Sequence, residues 1–96
     1  MTGRILVVDD ENIQRDIVKD ILEDEGYDVV TSGSGPDALE RIKRSVVDVV
    51  LTDLRMPGMD GVELLEHIKV FDPNVIVVVI TAYGSVESAV EAMKKG

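Results

Sequence analysis

A chain of 96 residues, 45% of them hydrophobic, suffices for one domain, and with only three aromatic residues its core must be aliphatic. The net charge of −9 argues against contact with nucleic acid or anionic lipid, and the lack of cysteine excludes disulfides and thiolate sites. No apolar run approaches about 18 residues and no signal-peptide pattern occurs, so we expect no membrane segment and a cytoplasmic location.

The chain begins with a predicted strand and helix. The strand covers Arg4–Val8 and ends at the acidic pair Asp9–Asp10. The apolar residues of Asn12–Glu25 have helical spacing, which predicts a helix there. Gly26 is expected to end that helix in the left-handed conformation. The apolar stripe predicted for this helix consists of Ile13, Ile17, Ile21 and Leu22.

A second strand and helix follow. Asp28–Thr31 is predicted as a strand, and Ser32–Pro36 as a loop in which Ser34 or Gly35 caps the next helix. That helix runs to about Arg44. Its predicted inward side chains are Ala38, Leu39 and Ile42.

The third and fourth units repeat this order. Val46–Thr52 is predicted as a buried strand, and Asp60 caps a helix over Gly61–Val70 that faces inward with Leu64, Leu65 and Ile68. Val75–Ile80 is the fourth strand, and a last helix follows Ser85. Four strands that alternate with helices predict an α/β domain with a doubly wound parallel sheet.

Polar residues follow three of the predicted strands: Asp9 and Asp10 the first, Asp53 the third and Thr81 the fourth. The carboxyl ends of parallel strands meet at one edge, where open α/β sheets place their ligand sites. If the first and third strands are neighbours, their end residues are about 4.8 Å apart. Three carboxylates there would repel one another, and a hard cation such as Mg²⁺ would relieve that repulsion.

The chemistry expected of this edge is phosphoryl transfer. A carboxylate can attack phosphorus to form an acyl phosphate, and we expect Asp53 to be that nucleophile. A plainer interpretation treats Asp9 and Asp10 as helix caps, and Thr81 as a strand residue favoured by its β-propensity. His67 has no partner at metal-ligand spacing and is expected at the surface.

Three segments carry a resemblance to a known family: Ile5–Glu11, Leu51–Gly61 and Ile80–Gly84. With them, the chain resembles the receiver domain of bacterial two-component response regulators from Arg4 to Gly96. The resemblance implies a flavodoxin-like sheet of order 2-1-3-4-5. Four of these units, in the order 2-1-3-4, fall within the present chain.

The resemblance also implies the site. Asp53 is then the phosphoacceptor, served by a sensor histidine kinase. Asp10 and Asp53 would bind Mg²⁺ directly, Asp9 largely through water, and Arg55 through its backbone carbonyl. Thr81 matches the switch hydroxyl. The sequence around Asp53 is most similar to that of nitrogen-regulation-type (sigma-54-dependent) regulators, which implies transcription regulation as the output.

The chain departs from the family pattern at its end. Family members continue into a fifth strand, with a phosphoryl-contacting lysine, and a fifth helix, whereas Gly96 falls before both. We therefore expect residues 1–96 to form an incomplete receiver domain whose fourth strand, Val75–Ile80, is an open edge. Such an edge predicts a homodimer or strand-exchanged oligomer.

Two other functions compete with phosphoryl acceptance. One is a pairing module that takes no phosphoryl group. The other is a Mg²⁺-dependent phosphotransferase or phosphatase, which would need an Asp-x-Asp pair after the first strand. Since Asp9 and Asp10 are adjacent and no substrate-covering domain is evident, we expect no enzyme.

Overall fold

The structure is a computed structural model and describes residues 3–80. Its sheet has four parallel strands in the order β2-β1-β3-β4: β1 Arg4–Val8, β2 Asp28–Ser32, β3 Val49–Asp53 and β4 Ile76–Ile80. Three helices alternate with them: α1 Asn12–Asp24, α2 Gly35–Arg44 and α3 Gly61–Phe71. The predicted doubly wound, flavodoxin-like arrangement is thereby confirmed. Thr81 and the predicted fourth helix lie outside the described residues.

Both faces of the sheet are covered, because successive side chains of a strand point to opposite sides. On one face, β1 and β3 pack with α2 and α3 through Leu6, Val8, Ala38, Ile42, Val47, Val50, Met56, Leu64, Ile68 and Val75. On the other face, the strands pack with α1 through Ile5, Val7, Val18, Leu22, Val29 and Leu51. Among residues 3–80, no helix is long and apolar enough to cross a membrane.

The predicted caps of the helices are confirmed. The Ser34 hydroxyl accepts a hydrogen bond from the Asp37 N–H at 3.3 Å, and the Asp60 carboxylate accepts one from the Glu63 N–H at 2.9 Å. Gly26 follows α1 with φ 95°, a conformation that favours glycine. These local signals place the start of α2 and α3 and the end of α1 close to where the sequence puts them.

The predicted inward stripe of α1 is wrong for its three isoleucines. Ile13, Ile17 and Ile21 are 76%, 47% and 37% exposed, whereas Val18 and Leu22 are buried against the sheet. Val18 and Leu22 are four residues apart, and each lies about 100° around the helix from the isoleucine that directly precedes it. The apolar surface of α1 is therefore wider than the strip that contacts the sheet.

The start of β3 also differs from the prediction, which placed it at Val46. Val46 is 79% exposed in the connection after α2, and the pairing of β1 with β3 begins at Ile5 and Val49. A run of valines has β-propensity throughout, but only the residues opposite β1 belong to the ladder.

Gly61 allows α3 to begin directly against the end of β3. Its N–H donates to the Leu54 carbonyl at 2.9 Å. A Cβ at this position would lie 2.5 Å from the carbonyl oxygen of Asp53 and 3.0 Å from the Cα of Leu54. Because both contacts are with backbone, the strand end that carries Asp53 would have to move.

We predict that Gly61→Ala destabilises the protein by about 1–3 kcal/mol, as overpacking does. Helix propensity alone would make the same change stabilising, so the sign of the effect is informative. Urea unfolding measures it, with Val62→Ala, at an exposed position one residue further on, as the control. A Gly61→Ala protein as stable as the wild type would show that this contact does not constrain the strand end.

Candidate functional site

The site lies where β1 and β3 end side by side. The parallel register pairs Val8 with Thr52, so the next residues, Asp9 and Asp53, leave the sheet at the same edge. Both strands are anchored by side chains that are almost fully buried, including Leu6 and Val50. The core thus holds the two aspartates together although neither belongs to it.

Three carboxylates meet at this edge. Asp9, Asp10 and Asp53 each offer one oxygen, and these oxygens lie within 4.8 Å of one another. Asp9 and Asp53 are half-buried, and Asp10 is exposed. The prediction that the ends of the first and third strands bring these residues together is confirmed for the geometry. Their roles as metal ligands and phosphoacceptor remain predictions.

The hydrogen bonds of the cluster leave most of its oxygens available. The Glu11 N–H donates to Asp9 Oδ1 at 2.9 Å, and the Arg55 N–H approaches Asp53 Oδ1 at 3.4 Å. The Asp10 carboxylate accepts no hydrogen bond from residues 3–80, and the ion pairs formed by these residues do not include the cluster. Helix capping therefore explains neither Asp10 nor Asp53; the cap position of α1 is Glu11, which makes no side-chain cap bond.

The Asp9 carboxyl has a raised pKa. Burial is the main cause, because it disfavours the charged form, and the negative charges of Asp53, Asp10 and Glu11 act in the same direction. The hydrogen bond from the Glu11 N–H opposes these effects and lowers the pKa. Ionised Asp9 is thus disfavoured by its surroundings when no cation is beside it.

The donor set suits Mg²⁺. Hard cations of this kind prefer carboxylate, carbonyl and water oxygens, and Mg²⁺ is commonly held by one or two carboxylates together with phosphate oxygens and water. The described residues of the cluster supply oxygen donors alone, and the exposed side of Asp10 leaves room for water. The position of the Arg55 carbonyl relative to the carboxylates stays a prediction.

Two hydrogen bonds hold the backbone of Asp9 against its surroundings. The Asp9 N–H donates to the Ser32 carbonyl at 3.1 Å, and Arg15 Nη1 donates to the Asp9 carbonyl at 2.8 Å. Neither Arg15 nor Ser32 is among the site residues predicted from the sequence. The available signal was an arginine one turn into the helix that follows an acidic pair, where its long side chain can reach back to the loop.

Two methionines of the loop after Asp53, His67 and Thr81 remain to be considered. Met56 is buried in the hydrophobic core beside the site loop, and Met59 packs against the same part of the core. His67 is exposed, as predicted. Thr81 follows Ile80 in the chain and lies outside the described residues, so its role as a switch hydroxyl stays a prediction.

Comparison with known protein families gives one match over nearly the whole chain. Residues 5–96 match the response regulator receiver domain. The transcriptional regulatory protein ZraR of Escherichia coli is 47% identical over 92 residues, which are 96% of this chain and 21% of ZraR. The sporulation initiation phosphotransferase F of Bacillus subtilis is 36% identical over 96 residues, all of this chain and 77% of that protein.

Solved structures give the same result. The response regulator TrrA of Thermotoga maritima, crystallised with Mg²⁺ and BeF, superimposes with a TM-score of 0.81 at 34% identity, over 95% of this chain and 79% of that chain. TrrA in complex with the histidine kinase ThkA superimposes with a TM-score of 0.80 at 36% identity, over 86% of this chain and 72% of that chain. The chain spans about a fifth of the length of ZraR, the regulator it matches at 47% identity.

We predict that Asp9→Asn stabilises the metal-free protein at neutral pH. A raised pKa means that the folded state holds the Asp9 proton more tightly than the unfolded state does. The corresponding stability is present at low pH and is lost as the pH rises through the folded-state pKa. Asparagine stays neutral and retains the oxygen that accepts from Glu11, so the variant avoids this loss.

Thermal unfolding in EDTA tests this pH dependence. The Tm of Asp9→Asn should exceed that of the wild type at pH 7, and the difference should vanish below pH 3.8, the ordinary carboxyl value. Asp20→Asn, which removes an exposed carboxylate from α1, is the control and should change Tm little. A lower Tm for Asp9→Asn at pH 7 would contradict the interpretation.

Proposed function

The chain belongs to the response regulator receiver domain family, and we propose that it accepts a phosphoryl group on Asp53 with the help of Mg²⁺. The observation that carries this proposal is the convergence of the Asp9, Asp10 and Asp53 oxygens within 4.8 Å at the ends of adjacent parallel strands. Neither helix capping nor ion pairing among residues 3–80 accounts for that convergence.

The three aspartates would hold the metal. Asp10 and Asp53 are the direct ligands in this proposal, Asp9 acts largely through water, and the Arg55 carbonyl completes the protein ligands. When bound, Mg²⁺ supplies positive charge to the oxygens of the transferring phosphoryl group. The raised pKa of Asp9 supports a cation at this place, because a cation would favour its ionised form.

Asp53 is the nucleophile in the proposed reaction. One of its oxygens forms a bond to phosphorus while the phosphorus–nitrogen bond of a kinase phosphohistidine breaks. The electron pair of the broken bond stays on the imidazole nitrogen, which takes up a proton. TrrA has been crystallised with a histidine kinase and with Mg²⁺ and BeF, and these structures of a relative support a kinase as the phosphoryl donor.

The proposed role is that of a signalling domain and not of an enzyme with turnover. Asp9 and Asp10 are adjacent, so the first strand lacks the Asp-x-Asp pair of aspartyl-phosphate enzymes. The relationship to ZraR supports transcription regulation as the output of a longer protein. In this proposal, Thr81 is the hydroxyl that senses phosphorylation. A cytoplasmic location remains a prediction.

We predict a labile phosphoryl adduct on Asp53 when the protein is incubated with acetyl phosphate and Mg²⁺. Intact-protein mass spectrometry followed by peptide mapping measures it. EDTA and Asp53→Asn should each abolish the adduct. The control is Asp60→Asn, which changes another aspartate of the same loop but keeps a side chain that caps α3 well.

The outcomes of this experiment separate the three candidate functions. An adduct that persists in Asp53→Asn would contradict the assignment of the phosphoacceptor. Repeated hydrolysis of a small phosphoester would favour the enzyme. No adduct at all on the wild type would favour a module that pairs without accepting phosphate.

Self-association through β4 is a further proposal. Within residues 3–80, β4 pairs with β3 alone, and Ile76 is 43% exposed. Light scattering after size exclusion should detect a dimer at high concentration, and Ile76→Lys should shift it to monomer because an edge lysine blocks strand pairing. Val62→Lys, at an exposed position of α3, should not. A clean wild-type monomer at high concentration would contradict the proposal.

A further inference from the structure

We propose that Arg15 is a positioning residue for the carboxylate cluster, which it serves by holding the peptide unit between Asp9 and Asp10. This inference rests on the proposed function, because its consequence is a stronger affinity for Mg²⁺. Arg15 lies one turn into α1 and is half-buried beneath the loop.

The contact is made with the backbone of the loop. Arg15 Nη1 donates to the Asp9 carbonyl at 2.8 Å, and Nη2 of the same side chain donates to Asn12 Oδ1. The Asp9 carbonyl belongs to the peptide unit that joins Asp9 to Asp10. Holding its oxygen limits rotation about the bonds on either side, and with it the directions in which the two carboxylates leave the backbone.

Two other polar atoms of Asp9 are held as well. Its N–H donates to the Ser32 carbonyl at 3.1 Å, and its Oδ1 accepts from the Glu11 N–H at 2.9 Å. Arg15 supplies the restraint on the carbonyl side. Without it, the segment between the Ser32 contact and the first turn of α1 would lose that restraint.

Arg15 forms no ion pair with a carboxylate among residues 3–80. Its guanidinium donates to the Asp9 carbonyl and to Asn12 Oδ1 instead. A charge effect and a positioning effect of Arg15 predict opposite changes in the affinity for Mg²⁺. If only charge mattered, removal of a nearby cation would strengthen Mg²⁺ binding, whereas loss of positioning weakens it.

Gly33 provides a second way to disturb the same contact. A Cβ at Gly33 would lie 3.2 Å from Arg15 Nη1, so alanine would press on the guanidinium without changing its charge. Gly33 does not have a left-handed backbone, so alanine introduces no conformational strain there. Gly33→Ala should therefore weaken the site in the same direction as the Arg15 variants, but less.

The experiment is Mg²⁺ titration of the protein by calorimetry. Arg15→Gln and Arg15→Lys should each weaken binding about tenfold, the size expected when a residue that orients a metal ligand is lost. Lysine keeps the charge but not the two-nitrogen fork, so it separates position from charge. Gly33→Ala should weaken binding about two- to threefold, a smaller loss of the same kind. Lys19→Gln, which removes a charge one turn further along α1, is the control and should not weaken it.

A second readout needs no metal. In EDTA, nuclear magnetic resonance should show shifted and faster-exchanging backbone amides at Asp10 and Glu11 in the Arg15 variants, while the amides of β2 stay unchanged as evidence of an intact fold. Unchanged Asp10 and Glu11 amides would overturn the inference. An Arg15→Gln protein that binds Mg²⁺ as tightly as the wild type, or more tightly, would also overturn the inference.

The proposed function and the role of Arg15 would be contradicted by different results. If Asp10→Asn and Asp53→Asn leave Mg²⁺ binding unaffected, or the wild type binds none, the proposed function fails, and the amide readout still decides the role of Arg15. If the wild type binds Mg²⁺ through these aspartates and the Arg15 variants bind equally well, only the role of Arg15 fails.

Discussion

The parallel pairing of β1 with β3 is the constraint on which the candidate site depends. It aligns Val8 with Thr52 and so brings the next residue of each strand, Asp9 and Asp53, to one edge of the sheet. Core packing on both faces keeps this register, because a shift by one residue would turn the buried side chains of a strand to the opposite face. Core packing thereby holds the carboxylates near one another, although their mutual repulsion opposes this arrangement.

Backbone contacts around the site restrain the strand ends that carry the aspartates. Gly61 lets α3 begin against the end of β3, and the Ser32 carbonyl holds the N–H of Asp9. Arg15 holds the carbonyl of the same residue. Each contact restrains the backbone and leaves the carboxylate oxygens available for a ligand, as the proposed binding of a cation and a phosphoryl group would require.

Much of the fold could be predicted from the sequence because its signals are local. β-branched runs mark the strands, and Ser34, Gly26 and Asp60 mark helix boundaries. The candidate site residues at the ends of the first and third strands follow from a topological rule, because the carboxyl ends of parallel strands share an edge. The family resemblance supplied the sheet order, which periodicity alone does not give.

The errors concern contacts between distant parts of the chain. Val46 has the composition of a strand residue but lies outside the ladder, since pairing depends on where β1 begins. Ile13 and Ile17 have the right spacing for a buried stripe, yet α1 faces the sheet with Val18 and Leu22. The role of Arg15 depends on the path of a loop six residues earlier, which no periodic pattern records.

The most direct test is a crystal structure of the protein with Mn²⁺ in place of Mg²⁺, in which anomalous scattering locates the ion. The geometry predicts one ion between the carboxylates of Asp9, Asp10 and Asp53. An ion bound at a different acidic group, or no ordered ion at this edge at saturating Mn²⁺, would contradict the central claim that the register of β1 and β3 builds a cation site.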